Sequence, residues 1–108
     1  MNVDQKRLYE LKAKVFAAIG HPIRLAIVEF LRDGPQCVCD IADHVEAQRS
    51  NVSRHLAVLL SAGVLGHQKD GLKMIYSLKT PCILNLGKCV EGVIRSRAKD
   101  AAAVLNEL

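Results

Sequence analysis

Between residues 49 and 78 the chain changes its apolar spacing once, and that change restricts the fold more than any other feature. Val52, Leu56, Leu59 and Leu60 share one side of a helix over about 49–61. Gly63 follows, in the position where a left-handed cap residue is favoured. The next stretch, VLGHQKDGLKMIYSL, then reads as a hairpin, with Asp70-Gly71 the turn pair suited to a two-residue loop.

Upstream, Leu8, Leu11, Val15 and Ile19 are spaced by three and four, which predicts an amphipathic helix over 5–19 that Gly20 ends. A second helix starts at His21-Pro22, carries Ile23, Ile27, Phe30 and Leu31 inward, and stops at the turn-formers Asp33-Gly34-Pro35. A short third helix covers about 38–45, and a turn at 46–48 leads into the helix described above. After Thr80-Pro81 a last helix runs over 82–108, with Ile83, Leu86, Val90, Val93, Ala101 and Val104 along one side. The whole, 1–108, is one domain, since 108 residues bury a modest core but not two. The central part already makes a core, so the stripes of the terminal helices pack against a second copy. The alternative is that they cover only their own core.

Charge narrows the partner. A formal net charge of +4 and a pI of about 9.0 favour a polyanion. The few aromatics, Tyr9, Phe16, Phe30 and Tyr76, argue against single-strand binding on stacked rings and suit a duplex reader. The opening MNVDQKRLYELKAK has no apolar core or cleavage site, and no apolar run approaches the roughly 20 residues of a membrane span. A cytoplasmic protein with no membrane partner is expected, its four cysteines reduced, and spaced thiols there point to metal or redox chemistry.

Residues 47–69 contain no acid but include Arg49, Arg54, His55, His67 and Lys69. Ser50, Ser53, Arg54, Ala57 and Ser61 fall opposite the leucine face, giving an outward surface that is small and polar. A major groove admits such a helix, its N-terminal residues reaching base edges. Arg54 suits guanine and Asn51 adenine, while Ser50 and Ser53 suit phosphate, which positions without specifying. Lys69 and Lys73 flank the hairpin turn and suit backbone phosphate. A solvated helix face that merely lacks acids is the competing explanation. It is weakened because short helix, tight turn, second helix and wing occur together.

At this point the sequence resembles the arsenic-repressor (ArsR/SmtB) family of bacterial winged-helix repressors over nearly its whole length. GHPIRLAIVEFLRDG is similar to the family's second helix, CVCDIADHV to its third, NVSRHLAVLLSAGVL to its recognition helix and KDGLKMIYSL to its wing. The resemblance implies a mainly α fold with a small β-hairpin: a winged helix-turn-helix with the motif at 38–61 and the wing at 64–79. It further implies a homodimer through 5–19 and 82–108, bound to an imperfect inverted repeat in double-stranded operator DNA and released by a ligand. Where many members have Ser-Gln, this chain has Gln48-Arg49, so base preference is not carried over.

CVCD is the motif by which arsenic- and cadmium-sensing members hold their ion, so the resemblance implies Cys37 and Cys39 as ligands. Soft thiolates favour As(III), Sb(III), Cd, Pb or Cu(I) over magnesium or calcium. On a helix, residues two apart point about 200° away from each other. Two sulfurs on one ion, each at roughly 2.3 Å as for zinc, lie within about 4 Å of each other. Capture at both would therefore reshape the start of the third helix. A disulfide between them is disfavoured by the short loop; two small buried apolar residues are the bland alternative. The family's third cysteine is replaced by Ala42, and the N-terminal arm has none. Cys82 and Cys89 remain, seven apart and about 10.5 Å along a continuous helix, with Pro81 expected to place Cys82 ahead of the regular helix. A site at Cys82 and Cys89, or one shared across a dimer, stays open.

The zinc site of related members is expected to be absent, because Thr80, Cys82, Val93 and Ser96 occupy its positions. His21 reads as a helix-start residue, His55 as a packing or phosphate contact, and His67 as part of the wing. His44 alone is near the cysteine pair. A thiol-redox or persulfide switch is the alternative to ion sensing, and a thiol-rich protein that never touches DNA is a third reading. No nucleophile–base arrangement, phosphate loop or HExxH motif marks an enzyme.

Overall fold

A computed structural model describes residues 1–97 and 99–107, and the side chains of all these except 99–102. Helix α1 (Val3–Ile19) starts earlier than its apolar stripe requires, because Asn2 and Gln5 form a reciprocal capping box. Asn2 Oδ1 accepts from the Gln5 N–H at 2.8 Å, and Gln5 Oε1 accepts from the Asn2 N–H at 3.0 Å. Helix α2 (Pro22–Phe30) opens as expected on His21, whose Nδ1 accepts from the Ile23 N–H at 3.1 Å. A 3-10 turn (Leu31–Asp33) and Gly34 at φ 141° take the chain out of it.

A strand that the sequence does not predict comes next. β1 (Gln36–Cys37) is two residues long, the first part of the helix-turn-helix approach to be held by a sheet. Helices α3 (Val38–Val45) and α4 (Arg49–Ser61) occupy the predicted spans. Their connection turns on Glu46, a non-glycine residue in the left-handed region at φ 54°. At the end of α4, Gly63 has φ 81°, the Val64 N–H donates to the Leu59 carbonyl and the Gly63 N–H to the Leu60 carbonyl, each at 3.0 Å. This is the glycine cap that the sequence predicts.

The wing is β2 (Leu65–Asp70) and β3 (Lys73–Leu78), in antiparallel register with Asp70 opposite Lys73. The two-residue loop is therefore Gly71–Leu72, not Asp70-Gly71. Gly71, at φ 64°, takes the first central position, as a turn that needs positive φ only there allows. β1 pairs antiparallel with β3, Gln36 opposite Tyr76 and Cys37 opposite Ile75, so the sheet order is β1-β3-β2. Helix α5 (Cys82–Arg97) and helix α6 (Lys99–Glu107) fill the predicted last helical span. Ala98, Leu108 and the side chain of Ala101, which belong to that prediction, lie outside the described residues.

The core lies where α2, α3 and α4 converge on the start of β2. Ile27, Ile41, Val52, Leu56, Leu59 and Val64 are fully buried there, with Val28 and Leu65 beside them. Ile23, Phe30 and Leu60, predicted inward, are only half-buried at its edge. The terminal helices stand apart from this core. No residue of α5 is buried, and α1 buries only Ala18 and Ile19. Leu8, Leu11, Phe16, Val90, Val93 and Val104 are exposed. The radius of gyration, 15.8 Å, exceeds the about 13 Å usual for a compact chain of 100 residues.

Leu56 is fully buried and Leu72 fully exposed at the wing tip. Leu56→Ala is expected to lower unfolding stability by about 2–5 kcal/mol, and Leu72→Ala to change it by no more than about 0.5 kcal/mol. Urea unfolding followed by circular dichroism measures both.

Candidate nucleic-acid interface and thiol sites

Burying Val52, Leu56 and Leu59 leaves α4 no choice about its other side. Arg49, Ser50, Asn51, Ser53, Arg54, Ala57 and Ser61 are all exposed, so the polar face predicted for a groove is the face presented. α4 has no acid in its first turn, and its N-cap, Gln48, makes no side-chain cap hydrogen bond. The leading N–H groups of α4 thus keep their affinity for an anion. Glu46 is the one carboxylate lining the concavity formed with Ala47, Gln48, Ser50, Asn51 and Arg54. Lys69 and Lys73 are exposed on the two wing strands, Lys69 opposite Met74 and Lys73 opposite Asp70.

His55 is placed differently from the other candidate DNA residues. It is half-buried against α2, its ring 4.3 Å from that of His21 and tilted by 41°. Burial, then the neighbouring His21 and Arg24, push its pKa below the ordinary histidine value. His67 lies on the wing, 5.7 Å from the Tyr76 ring. His44 stacks on Phe30 at 4.1 Å.

The thiols fall into two settings. Cys37 is not on α3 at all. It ends β1 and forms the N-cap of α3 in extended backbone, with its Sγ accepting from the Asp40 N–H at 3.4 Å. Cys39 is the second residue of the helix and half-buried, whereas Cys37 is buried at 6 % exposure. The helical geometry that sets residues two apart on opposite sides does not apply to this pair, because one member lies off the helix. Capture at both thiols would break a cap and tug on a strand, rather than unwind two helical residues.

Cys82 and Cys89 are both exposed. Cys82 is the first residue of α5 and Pro81 precedes it, so the expectation that Cys82 stands ahead of the regular helix is corrected. On one helix the two thiols stay about 10.5 Å apart along the axis and do not meet over one ion. Among the described residues no group of three or more His, Cys, Asp or Glu side chains is placed to hold a metal. Sequence reasoning missed Arg24, which faces His55 from another helix; no spacing signal links residues 24 and 55.

Comparison with known proteins agrees with the fold. The family model for bacterial regulatory proteins of the arsR family matches residues 21–65, from the start of α2 to the start of β2. The HTH-type transcriptional regulator Rv0081 of Mycobacterium tuberculosis is 36 % identical over 107 residues, covering 98 % of this chain and 94 % of the relative. Its crystal structure superposes with a TM-score of 0.70 over 93 % of this chain and 94 % of that one. The homodimeric winged helix-turn-helix DNA-binding domain Mb0332 of Mycobacterium bovis shares the fold, with a TM-score of 0.75 at 24 % identity over 86 % of each chain. A cadmium resistance transcriptional regulatory protein, a CadC homolog of Staphylococcus aureus, is 37 % identical over 67 residues, 61 % of this chain and 55 % of the relative.

Two outcomes are expected from this geometry. Arg54→Ala weakens binding to duplex DNA and makes its dependence on salt shallower by about one phosphate's worth if the contact is to backbone; if Arg54 pairs with guanine, the loss is sequence-selective, at about 1–3 kcal/mol. Anisotropy titrations over a range of salt separate the two. Under native conditions iodoacetamide alkylates Cys39 ahead of Cys37, as mass mapping of a time course reads directly.

Proposed function

Because the chain belongs to the arsR family of bacterial regulatory proteins, and is thus a transcriptional regulator with a winged helix-turn-helix, we propose that it is a cytoplasmic repressor released from promoter DNA when a soft ion binds its cysteine thiolates. The observation that carries this reading is the position of Cys37. One residue is at once the strand partner of Ile75 in the wing, the N-cap of α3 and a neighbour of the core on which α4 rests. Cys39 lies two residues on, accessible where Cys37 is not. A ligand drawing on both thiols removes the acceptor of the Asp40 N–H and strains the β1–β3 pairing. It would therefore favour a different arrangement of α3, α4 and wing, and weaken DNA binding by its differential affinity for the two states.

Two thiolates suit As(III) or Sb(III) first and a soft divalent ion such as Cd or Pb next. The CadC homolog among its relatives is named for cadmium resistance, which supports a metal or metalloid inducer here. The further donors such an ion needs would come from a second copy or from small thiols in solution. On the DNA side, Arg49, Ser50, Asn51, Ser53, Arg54 and His55 would meet the groove or its backbone, with Lys69 and Lys73 on phosphate as a wing. The exposed apolar residues of α1, α5 and α6 would pair two copies into a homodimer, fitting an inverted repeat. A second reading, release by thiol oxidation or persulfidation, is favoured by the exposure of Cys82 and Cys89.

Fluorescence anisotropy of the reduced protein on its own promoter duplex, titrated anaerobically with arsenite, separates the readings. Release near stoichiometric arsenite is expected, lost in Cys37→Ser and Cys39→Ser and kept in the double variant Cys82→Ser/Cys89→Ser. Binding that persists under arsenite, cadmium and lead but ends with an oxidant or persulfide would overturn ion sensing.

A further inference from the structure

Three cationic or titratable side chains meet where α2 passes the flank of α4. His21 and His55 face each other at 4.3 Å between ring centroids. Arg24, three residues along from His21, acts on His55 as a positive charge. Its Nε is shut off from solvent and has no hydrogen-bond partner among the described residues. A shielded donor without an acceptor costs free energy unless a ligand supplies one.

The charges that act on His55 are of one sign, while the Glu46 carboxylate lines the neighbouring concavity with Ile23 and Arg54. His55 is affected by His21 and Arg24 of α2. Lys14 of α1 borders α4 at Ala57 and Val58, a turn further along. Arg54 adjoins His55 on α4 itself. A cluster that repels itself when protonated and lacks a carboxylate is poorly explained as a stabilising contact. It is well explained as half of a contact with an anion.

Its position says which anion. Ile23, which lies between His21 and Arg24, lines the same concavity as Ser50, Asn51 and Arg54. The cluster thus borders the face of α4 assigned to the groove.

We propose that His21, Arg24 and His55 form a phosphate-binding cluster that receives the DNA backbone beside α4 and takes up one proton from solvent as it does so. This rests on the DNA-binding reading and adds to it an element on α2. A phosphate oxygen accepts from the guanidinium of Arg24 and from the ring of His55, which becomes a second donor once protonated. In the free protein burial and its cationic neighbours lower the pKa of His55, which disfavours its protonated form. Phosphate reverses that balance, so the complex binds more protons than its parts, and affinity rises as pH falls through the histidine range.

The test is anisotropy on a short duplex of arbitrary sequence, at constant low ionic strength, since phosphate contacts carry no sequence information. From about pH 8 to about pH 6 the wild-type affinity is expected to rise by roughly fivefold to tenfold, below the ceiling of about tenfold per pH unit that one fully linked proton sets. His55→Gln is expected to flatten this slope. Arg24→Gln is expected to reduce affinity throughout and to lower the slope of affinity against salt by about one contact. His21→Asn keeps a side-chain acceptor for the helix start and so tests the ring apart from the cap. Thermal melts verify that each variant is folded, with Arg24→Met as the substitute should Arg24→Gln not fold. A pH slope that survives unchanged in His55→Gln, or an unchanged salt slope in a folded Arg24 variant, overturns the cluster. A wild type that binds no duplex at any pH overturns the DNA-binding reading itself, and the cluster with it.

Discussion

The burial of one face of α4 is the contact on which the rest of the molecule depends. Val52, Leu56 and Leu59 are sealed against Ile27 of α2 and Ile41 of α3, each such side chain stabilising the fold by about 1.5–3 kcal/mol relative to exposure. A helix so anchored cannot rotate without exposing leucine. Its opposite face, with Arg49, Ser50, Asn51, Ser53 and Arg54, is therefore held outward as firmly as the leucines are held inward. The polar face gains its rigidity from residues that never touch the partner. The same packing explains why a small domain can present a reading surface with little internal hydrogen bonding across it: the surface is positioned by hydrophobic volume.

Cys37, proposed above as an ion ligand, would be wired to such a helix. A thiol on a surface loop would bind an ion and change nothing else. Cys37 instead shares its backbone with the sheet through Ile75 and its sulfur with the first turn of α3. α3 in turn supplies Ile41 to the core beneath α4. A displacement at Cys37 has two routes outward, one to the wing and one to the reading helix, and both end on surfaces proposed to meet DNA. The left-handed residue Glu46, between α3 and α4, concentrates the angle between the helices in one turn. Under the proposed switch, a change at the start of α3 would have only this one turn to cross before α4.

Much of this was legible in the residues. The spans of α3 and α4, the glycine cap at Gly63 and the His21 helix start follow from local rules, because apolar period and cap chemistry act within a few residues. What escaped was set by contacts between distant parts. β1 is two residues long, too short to carry a period, and exists because β3 offers an unpaired edge to Gln36 and Cys37. The hairpin loop moved from Asp70-Gly71 to Gly71–Leu72 because pairing along the whole of β2 and β3, with Asp70 opposite Lys73, outweighs the preference of one turn dipeptide. At the candidate site the exposed face of α4 was readable from its own spacing. The meeting of His21 and Arg24 with His55 was not, since it depends on how α2 crosses α4.

The terminal helices remain to be accounted for, and their exposure carries an argument of its own. α1, α2 and α5 line an apolar hollow of about 390 Å³ with Phe16, Leu25, Ile83, Leu86, Val90 and Ile94. A monomer that needed these helices only as a lid would have sunk them into the core, yet α5 buries no residue. Covering that surface with the same surface of a second copy removes the apolar exposure and fixes two α4 helices relative to each other. Their separation then becomes a property of α1 and α5, not of the reading heads. In a groove that repeats about every 10.5 base pairs, a small rotation at the shared helices is enough to take both heads out of register. The helices with the least to do in the core of one chain would then govern how well two chains fit one duplex.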